Sequence, residues 1–331
     1  MQDSRQYQSL NADKSAAPSR YRQWLLSSVS IAVFVVALVA IRHLLAAVTV
    51  ADLLAEIKRL SAAELGLAML FTAASFVTLV GYDWSALRYL KRSLPFYTVA
   101  FGSLCGCAVA NAVGWNFFSG ASVRYRIYTS AGLSAGDVAR VALFGSVAYG
   151  TSICVVGAAA LVLAPDLMAG MFGLKPGALS LIGWSFLVWL GLVFLLSLTK
   201  RQLGIGRFRM RLPDAGLMAI QLLIAILDMV FTAACLYVLV PHHTELPFLS
   251  FLAASSISIA AGIVSQVPGG LGVFEGAILY SFRHTLAPES LAAALLAYRL
   301  IYTLLPLLLA VALLALREVT DRIPAAVRRA D

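Results

Sequence analysis

The chain has 331 residues, of which 61% are hydrophobic and only 12% charged, with a formal net charge of +9 and a mean hydropathy of +0.87. A soluble domain carries about 25% charged residues and lacks a succession of long apolar runs, so composition excludes a soluble fold. No GxxxxGK[ST], HExxH or GxSxG pattern occurs, which leaves a nucleotide-driven pump or a hydrolase without support.

Residues 1–23 are polar and predict a disordered cytoplasmic tail. Apolar segments follow at 24–46, 65–90, 95–113, 141–163, 178–198, 215–240, 247–265 and 290–316, and runs of roughly 18 or more such residues are transmembrane-helix candidates. The first is too long and too deep for a signal peptide, and no small-residue cleavage site follows it. Residues 24–316 therefore predict one membrane domain, closed by a basic cytoplasmic tail at 317–331. Cys105, Cys107, Cys154 and Cys235 all lie in apolar segments and His242-His243 lacks partner ligands, so no disulfide, metal or cofactor site is predicted.

Basic residues gather in the N-terminal tail, at Arg88-Lys91-Arg92, from Arg124 to Arg140, from Lys200 to Arg211 and from Arg317 to Arg329, whereas 164–176 and 241–246 carry almost none. Positive charge marks the cytoplasmic side. Eight simple spans would put the 200–211 cluster outside. If 95–113 and 247–265 each open a hairpin that returns to the side it entered, every basic cluster and both termini face the cytoplasm. The predicted fold is all-α and polytopic, with six full spans and two re-entrant hairpins.

Two halves, about 24–165 and 176–316, would then have inverted topology, as in many secondary transporters. Sliding 94–128 over 246–280, an offset of 152, aligns Leu-Pro-Phe at the start, Gly120 with Gly272 at the expected turn and Tyr128 with Tyr280 at the end; seven of 35 positions match. Within SQVPGGLGVFEGAILYSF (265–282), Pro268 is expected to stop one helix, Gly269, Gly270 and Gly272 to turn the chain, and Val273 to open a second short helix. Irregular backbone at membrane depth survives only when buried in protein or lining a wet cavity, and free N–H groups at a helix start attract anions. NAVGWNFFSGAS (111–122) is the corresponding turn of the first hairpin.

Charges inside the apolar segments are costly, at least about 2.5–3.5 kcal/mol each near the bilayer centre. Asp83, Arg124, Asp228, Glu275 and Arg299 are such charges, and with Gly269, Gly270 and Gly272 they form the candidate substrate site. A purely structural alternative pairs Arg124 with Glu275 to hold the hairpins together.

VPGGLGVFEGAIL, NFFSGASVRYRIYTSAGLS, GYDW and YRLIYTLLPL together resemble the membrane domain of bacterial lysylphosphatidylglycerol synthetase/flippase, the multiple peptide resistance factor family, over essentially residues 65–316. The resemblance implies a lipid flippase of the bacterial cytoplasmic membrane that carries lysyl- or alanyl-phosphatidylglycerol to the outer leaflet, giving resistance to cationic antimicrobial peptides. Family members add a soluble aminoacyltransferase domain that has no counterpart up to Asp331, so whether this polypeptide is itself an enzyme stays open. The expected partners are the membrane and its aminoacylated phospholipid, with no nucleic acid; a homo-oligomer stays open. In such a site Asp83, Asp228 and Glu275 would hold the amines and Arg124, Arg299 and the glycine-turn amides the phosphate. Two other readings compete: a secondary transporter of a small polar solute, coupled to protons through Asp228, and a non-transporting subunit of a lipid-modifying enzyme.

Overall fold

The computed structural model describes residues 60–113, 116–199, 202–205, 208–211, 214–241, 246–265 and 267–322. The expected N-terminal tail, the first apolar segment at 24–46 and the His242-His243 pair lie outside the described residues, as does the end of the C-terminal tail.

The described residues form helices α1 (Ala62–Tyr89), α2 (Phe96–Val113), α3 (Asn116–Ser130), α4 (Ala135–Leu163), α5 (Pro165–Phe172), α6 (Pro176–Thr199), α7 (Ala215–Leu239), α8 (Phe248–Val264), α9 (Val273–Ser281), α10 (Pro288–Tyr298) and α11 (Leu305–Arg322). A π-helical segment, Arg299–Leu304, fuses the last two. The protein is an all-α polytopic membrane protein: apart from the arm α2, five of these units are long and apolar enough to cross a bilayer. Leu181, Trp184, Val188, Trp189 and Leu192 stand exposed on α6, an apolar surface suited to a membrane. Two features were not anticipated: the short helix α5, and a two-stranded antiparallel ribbon of β1 (Gln202–Ile205) and β2 (Phe208–Arg211).

Local chemistry starts the spans. Ser61 and Glu64 form a reciprocal capping box at α1, Ser134 Oγ accepts from the Asp137 amide at 3.1 Å, and Asp214 Oδ1 accepts from the Leu217 amide at 2.9 Å.

Helices α1 and α7 form the central pair. Thr72 meets Cys235, Ser75 meets Thr232, and Gly81 abuts Ile224. Residue numbers fall on one helix as they rise on the other, so the two run antiparallel. The C-terminal end of α1 lies in one apolar cluster with Val99, Ile127, Leu133 and Val138; its N-terminal end lies in a second with Leu239, Leu246, Phe251 and Phe282.

Each hairpin returns to the end it entered. Arg92, before α2, bridges Asp137, after α3, at 3.1 Å. Phe251 in the first turn of α8 stacks on Phe282, just past α9, with ring centroids 5.2 Å apart. Because the first base sits at the C-terminal end of α1 and the second at the opposite end, the hairpins enter from opposite ends of the molecule. Their tips meet: a Cβ at Gly269 would lie 3.0 Å from the Ala112 carbonyl oxygen.

The offset of 152 residues carries through the elements. Phe96 and Phe248 both open helices; Val113 and Val264, Ser130 and Ser281, and Ala135 and Pro288 bound equivalent helices to within one residue of that offset. Packing follows the same exchange, α2 against α11 matching α8 against α4. Gly120 departs from the expected turn. It lies inside α3, while the first connection falls at 114–115, outside the described residues. There the aligned glycine serves close helix contact rather than a reversal of the chain.

Candidate functional site

In the second hairpin, the chain leaves α8 at Val264 and turns through Pro268–Gly270 before α9 starts at Val273. Gly269, Gly270 and Gly272 hold φ of 61°, 63° and 80°, the left-handed region that L-residues enter at a cost of roughly 1–2 kcal/mol. Glu275 completes the turn: its Oε2 accepts from the Gly272 amide at 2.8 Å, and its Oε1 lies 2.6 Å from both Nε and Nη2 of Arg299. Arg299 Nη1 also donates to the Gly269 carbonyl at 2.7 Å. One guanidinium thus ties the glycine turn and the start of α9 to the last span, at the first residue of the π-helical segment. Such segments are rare and concentrate at functional sites.

The first hairpin carries its charge differently. Gly102 and Gly106 lie one helical turn apart on α2, and Gly120, Arg124 and Tyr128 follow at the same spacing on α3. Cβ atoms at Gly106 and Gly120 would fall 2.9 and 2.8 Å from Arg124 Nη1, and one at Gly102 would fall 2.3 Å from the Tyr128 ring. The missing side chains are the passage through which Arg124 and Tyr128 reach α1. Arg124 Nε donates to Asp83 Oδ2 at 2.7 Å, Tyr128 Oη donates to the same oxygen at 2.5 Å, and Arg124 Nη2 donates to Cys107 Sγ at 3.1 Å. Asp83 is 1% exposed and Arg124 9%.

Asp228, 2% exposed, stands apart from both pairs. Its Oδ1 accepts from Ser75 Oγ at 2.6 Å, and Ser75 and Thr232 each lie 2.8 Å from Tyr302 Oη. No Lys, Arg or His among the described residues forms an ion pair with it.

The eight predicted residues therefore fall into three groups: Asp83 with Arg124; Glu275 with Arg299 and the three glycines; and Asp228 alone among hydroxyls. The pairing of Arg124 with Glu275, the structural alternative, does not occur. Each arginine is neutralised within its own half, Arg124 by Asp83 and Arg299 by Glu275. Sequence reading missed Tyr128 as a ligand of Asp83, and also Ser75, Thr232 and Tyr302. The Gly102-xxx-Gly106 spacing was a usable signal for the first, since small residues four apart mark close helix contact in membranes. Single hydroxyls in apolar helices give no such signal. Among the described residues, no group of His, Cys, Asp and Glu has the makings of a metal site.

Basic side chains converge on the base of the first hairpin. Arg126 bridges Glu318, Arg317 Nη2 donates to Ser130 Oγ at 2.9 Å, and Arg92 and Arg140 both meet Asp137. Three of the sequence's basic clusters thereby share one end of the molecule.

Apolar spans packed around two opposed hairpins, each hairpin tied down by a carboxylate–guanidinium pair, define an all-α polytopic membrane protein. Its sequence is 32% identical over 229 residues to the Synechocystis sp. protein slr0712, itself uncharacterized, covering 69% of this chain and 71% of that protein, and the chain belongs to the same family. It is also similar to the phosphatidylglycerol lysyltransferases of Staphylococcus aureus strains MSSA476 and MRSA252, 26% identical over 275 residues, or 81% of this chain. The chain spans 31% of the length of those enzymes. No family model matches.

Proposed function

We propose that the protein is a phospholipid flippase that moves aminoacylated phosphatidylglycerol, lysyl- or alanyl-, from the inner to the outer leaflet of the bacterial cytoplasmic membrane. The observation that carries the reading is the tip-to-tip meeting of two oppositely entering hairpins at Ala112 and Gly269, beside the Glu275–Arg299 pair. Broken hairpins at corresponding places in two halves are the architecture of alternating access around a central site. The equivalent helix bounds support treating the halves as inverted repeats, 24–165 and 176–316.

Similarity to a phosphatidylglycerol lysyltransferase supports a phospholipid as the substrate class. An aminoacyl-phosphatidylglycerol headgroup carries ammonium and phosphate charges, so a site offering carboxylate and guanidinium together matches it. Glu275 and Arg299 satisfy each other in this conformation. The headgroup would replace that pairing, Glu275 receiving an ammonium and Arg299 with the glycine-turn amides receiving the phosphate. Asp83 and Arg124 would do the same from the other side. The basic cluster around Arg92, Arg126, Arg140 and Arg317 supports a cytoplasmic location for the base of the first hairpin and the adjoining end of α11, and the basic residues of the two tails support the same side for both termini.

The test is outer-leaflet labelling with a membrane-impermeant amine reagent in cells that make lysyl-phosphatidylglycerol. Presence of this protein should raise the labelled fraction while total lipid stays constant, and should lower sensitivity to a cationic peptide. An unchanged fraction at normal membrane content of the protein refutes lipid translocation. A changed total would point to a subunit that assists synthesis.

A further inference from the structure

Among the described residues, Asp228 differs from Asp83 and Glu275 in having no cationic partner. Asp83 and Glu275 each hold an arginine, whereas Asp228 Oδ1 meets only Ser75 Oγ at 2.6 Å and Thr78 Oγ1 at 3.5 Å. Its Oδ2 accepts no hydrogen bond among the described residues. Among the described residues, Asp228 meets the Ser75 and Thr78 hydroxyls on α1, and the titratable side chains within electrostatic range of it are Tyr82 on α1, Tyr149 on α4, and Tyr298 and Tyr302 on the last span. All are neutral hydroxyl-bearing side chains. A buried charge with no partner is expensive, and a carboxyl in such surroundings meets the demand by taking up a proton.

The hydroxyls beside Asp228 form a connected cluster. Ser75 Oγ lies 2.6 Å from Asp228 Oδ1 and 2.8 Å from Tyr302 Oη, and Tyr302 Oη lies 2.8 Å from Thr232 Oγ1. These are hydrogen-bond spacings.

The cluster joins three elements: Ser75 on α1, Asp228 and Thr232 on α7, and Tyr302 in the π-helical segment Arg299–Leu304. The other end of that segment is Arg299, which holds Glu275 and the Gly269 carbonyl of the second hairpin. A shift between π and α winding would move Tyr302 and Arg299 together. The hydroxyl cluster at Asp228 and the grip on the glycine turn therefore share one short piece of helix.

We propose that Asp228 is a proton-loading site whose protonation state is coupled, through Tyr302 and the π-helical segment, to release of the second hairpin by Arg299. In one state the carboxyl carries its proton. In the other its O–H bond breaks, the electron pair stays on the carboxylate, the proton leaves to water on one side of the membrane, and the Ser75 hydroxyl donates to the resulting anion. Reloading from the other side completes a cycle that moves one proton. What is moved against that proton rests on the lipid reading above; the titration itself does not.

The full chain in phosphatidylglycerol vesicles would be titrated by infrared difference spectroscopy, wild type against Asp228→Asn. A protonated-carboxyl absorption that disappears reversibly as pH rises, and is absent from the variant, is the expected result. Ser75→Ala, which keeps the carboxyl but removes its strongest hydrogen bond, should shift that absorption. Lack of any such titrating absorption while the protein stays folded overturns the proposal. In vesicles that also contain lysyl-phosphatidylglycerol, an imposed pH gradient should change its outward display severalfold, and reversing the gradient should reverse the effect. Display that ignores the gradient overturns the coupling. A titrating absorption without any lipid display leaves the proton site standing and removes the lipid reading instead.

Discussion

The carbonyl oxygen of Ala112, at the end of the first hairpin's leading arm, lies 3.0 Å from the place a Cβ would occupy at Gly269, in the turn of the second hairpin. Two segments far apart in sequence and entering from opposite ends thus touch backbone to backbone. The contact exists only because position 269 has no side chain.

Replacement of the turn glycines should therefore be severe, and replacement of the nearby helical glycine mild. Gly269→Ala meets both positive φ and the Ala112 carbonyl. Gly270→Ala meets positive φ and the Gly262 backbone at 3.4 Å. Each costs about 1–2 kcal/mol from backbone strain alone and should abolish lipid display. Gly276, inside α9 with open space around it, should tolerate Ala and gain up to roughly 1 kcal/mol of helix propensity. Thermal unfolding in detergent and outer-leaflet labelling together give the order; a Gly276→Ala protein worse than Gly270→Ala would contradict the observed turn.

The Asp83–Arg124 pair is buried, so removing one member leaves a charge stranded. Asp83→Asn or Arg124→Gln should each destabilise by about 3–5 kcal/mol and lower the amount of protein in the membrane. The double variant should be less damaged than the sum of the two, as expected for residues in direct contact. Gly102→Ala should reproduce part of the defect by displacing Tyr128 from Asp83. Additive losses in the double-mutant cycle would mean that the two residues act separately.

Glu275 and Arg299 are less enclosed, with side chains 22% and 13% exposed, and the pair's roles at the turn and in binding are separable. Glu275→Gln keeps an acceptor for the Gly272 amide but loses the charge. It should leave membrane protein content near normal while sharply reducing outer-leaflet lipid. Loss of the protein itself, seen by quantitative immunoblotting of membranes, would make the pair structural only.

Opposed hairpins require that their bases label from opposite faces. In a cysteine-free background, Ser93→Cys and Ala135→Cys should react with an impermeant maleimide only from the cytoplasm, and His284→Cys and Ala287→Cys only from outside. Reaction of the first two from different faces would turn α2 into a full span.

Much of this architecture was legible in the residues. Apolar length marked the spans, and the distribution of Arg and Lys required two hairpins, because the first returns 124–140 and 200–211 to the side of 88–92 and the second returns the cluster at 317–329 to that side. The Pro-Gly-Gly-x-Gly stretch located its own turn, with Val273 opening the next helix, since positive φ and the loss of an N–H are local properties of glycine and proline. Several helix boundaries match the offset of 152 to within one residue, Phe96 with Phe248 and Ser130 with Ser281 among them, whereas the starts of α3 at Asn116 and α9 at Val273 are 157 apart. Gly120 was misplaced because a glycine that allows helices to touch and one that turns the chain look alike in sequence. What the tertiary structure alone decided is which charges neutralise which. Asp83 lies 41 residues from Arg124, Glu275 lies 24 from Arg299, and Ser75 lies 153 from Asp228. An ion pair or hydrogen bond depends on distances of a few ångströms between side chains, and those are fixed by how α1, α7 and the hairpins pack. Sequence restricted which residues were costly enough to need partners; packing chose the partners, and among the described residues left Asp228 without a cation.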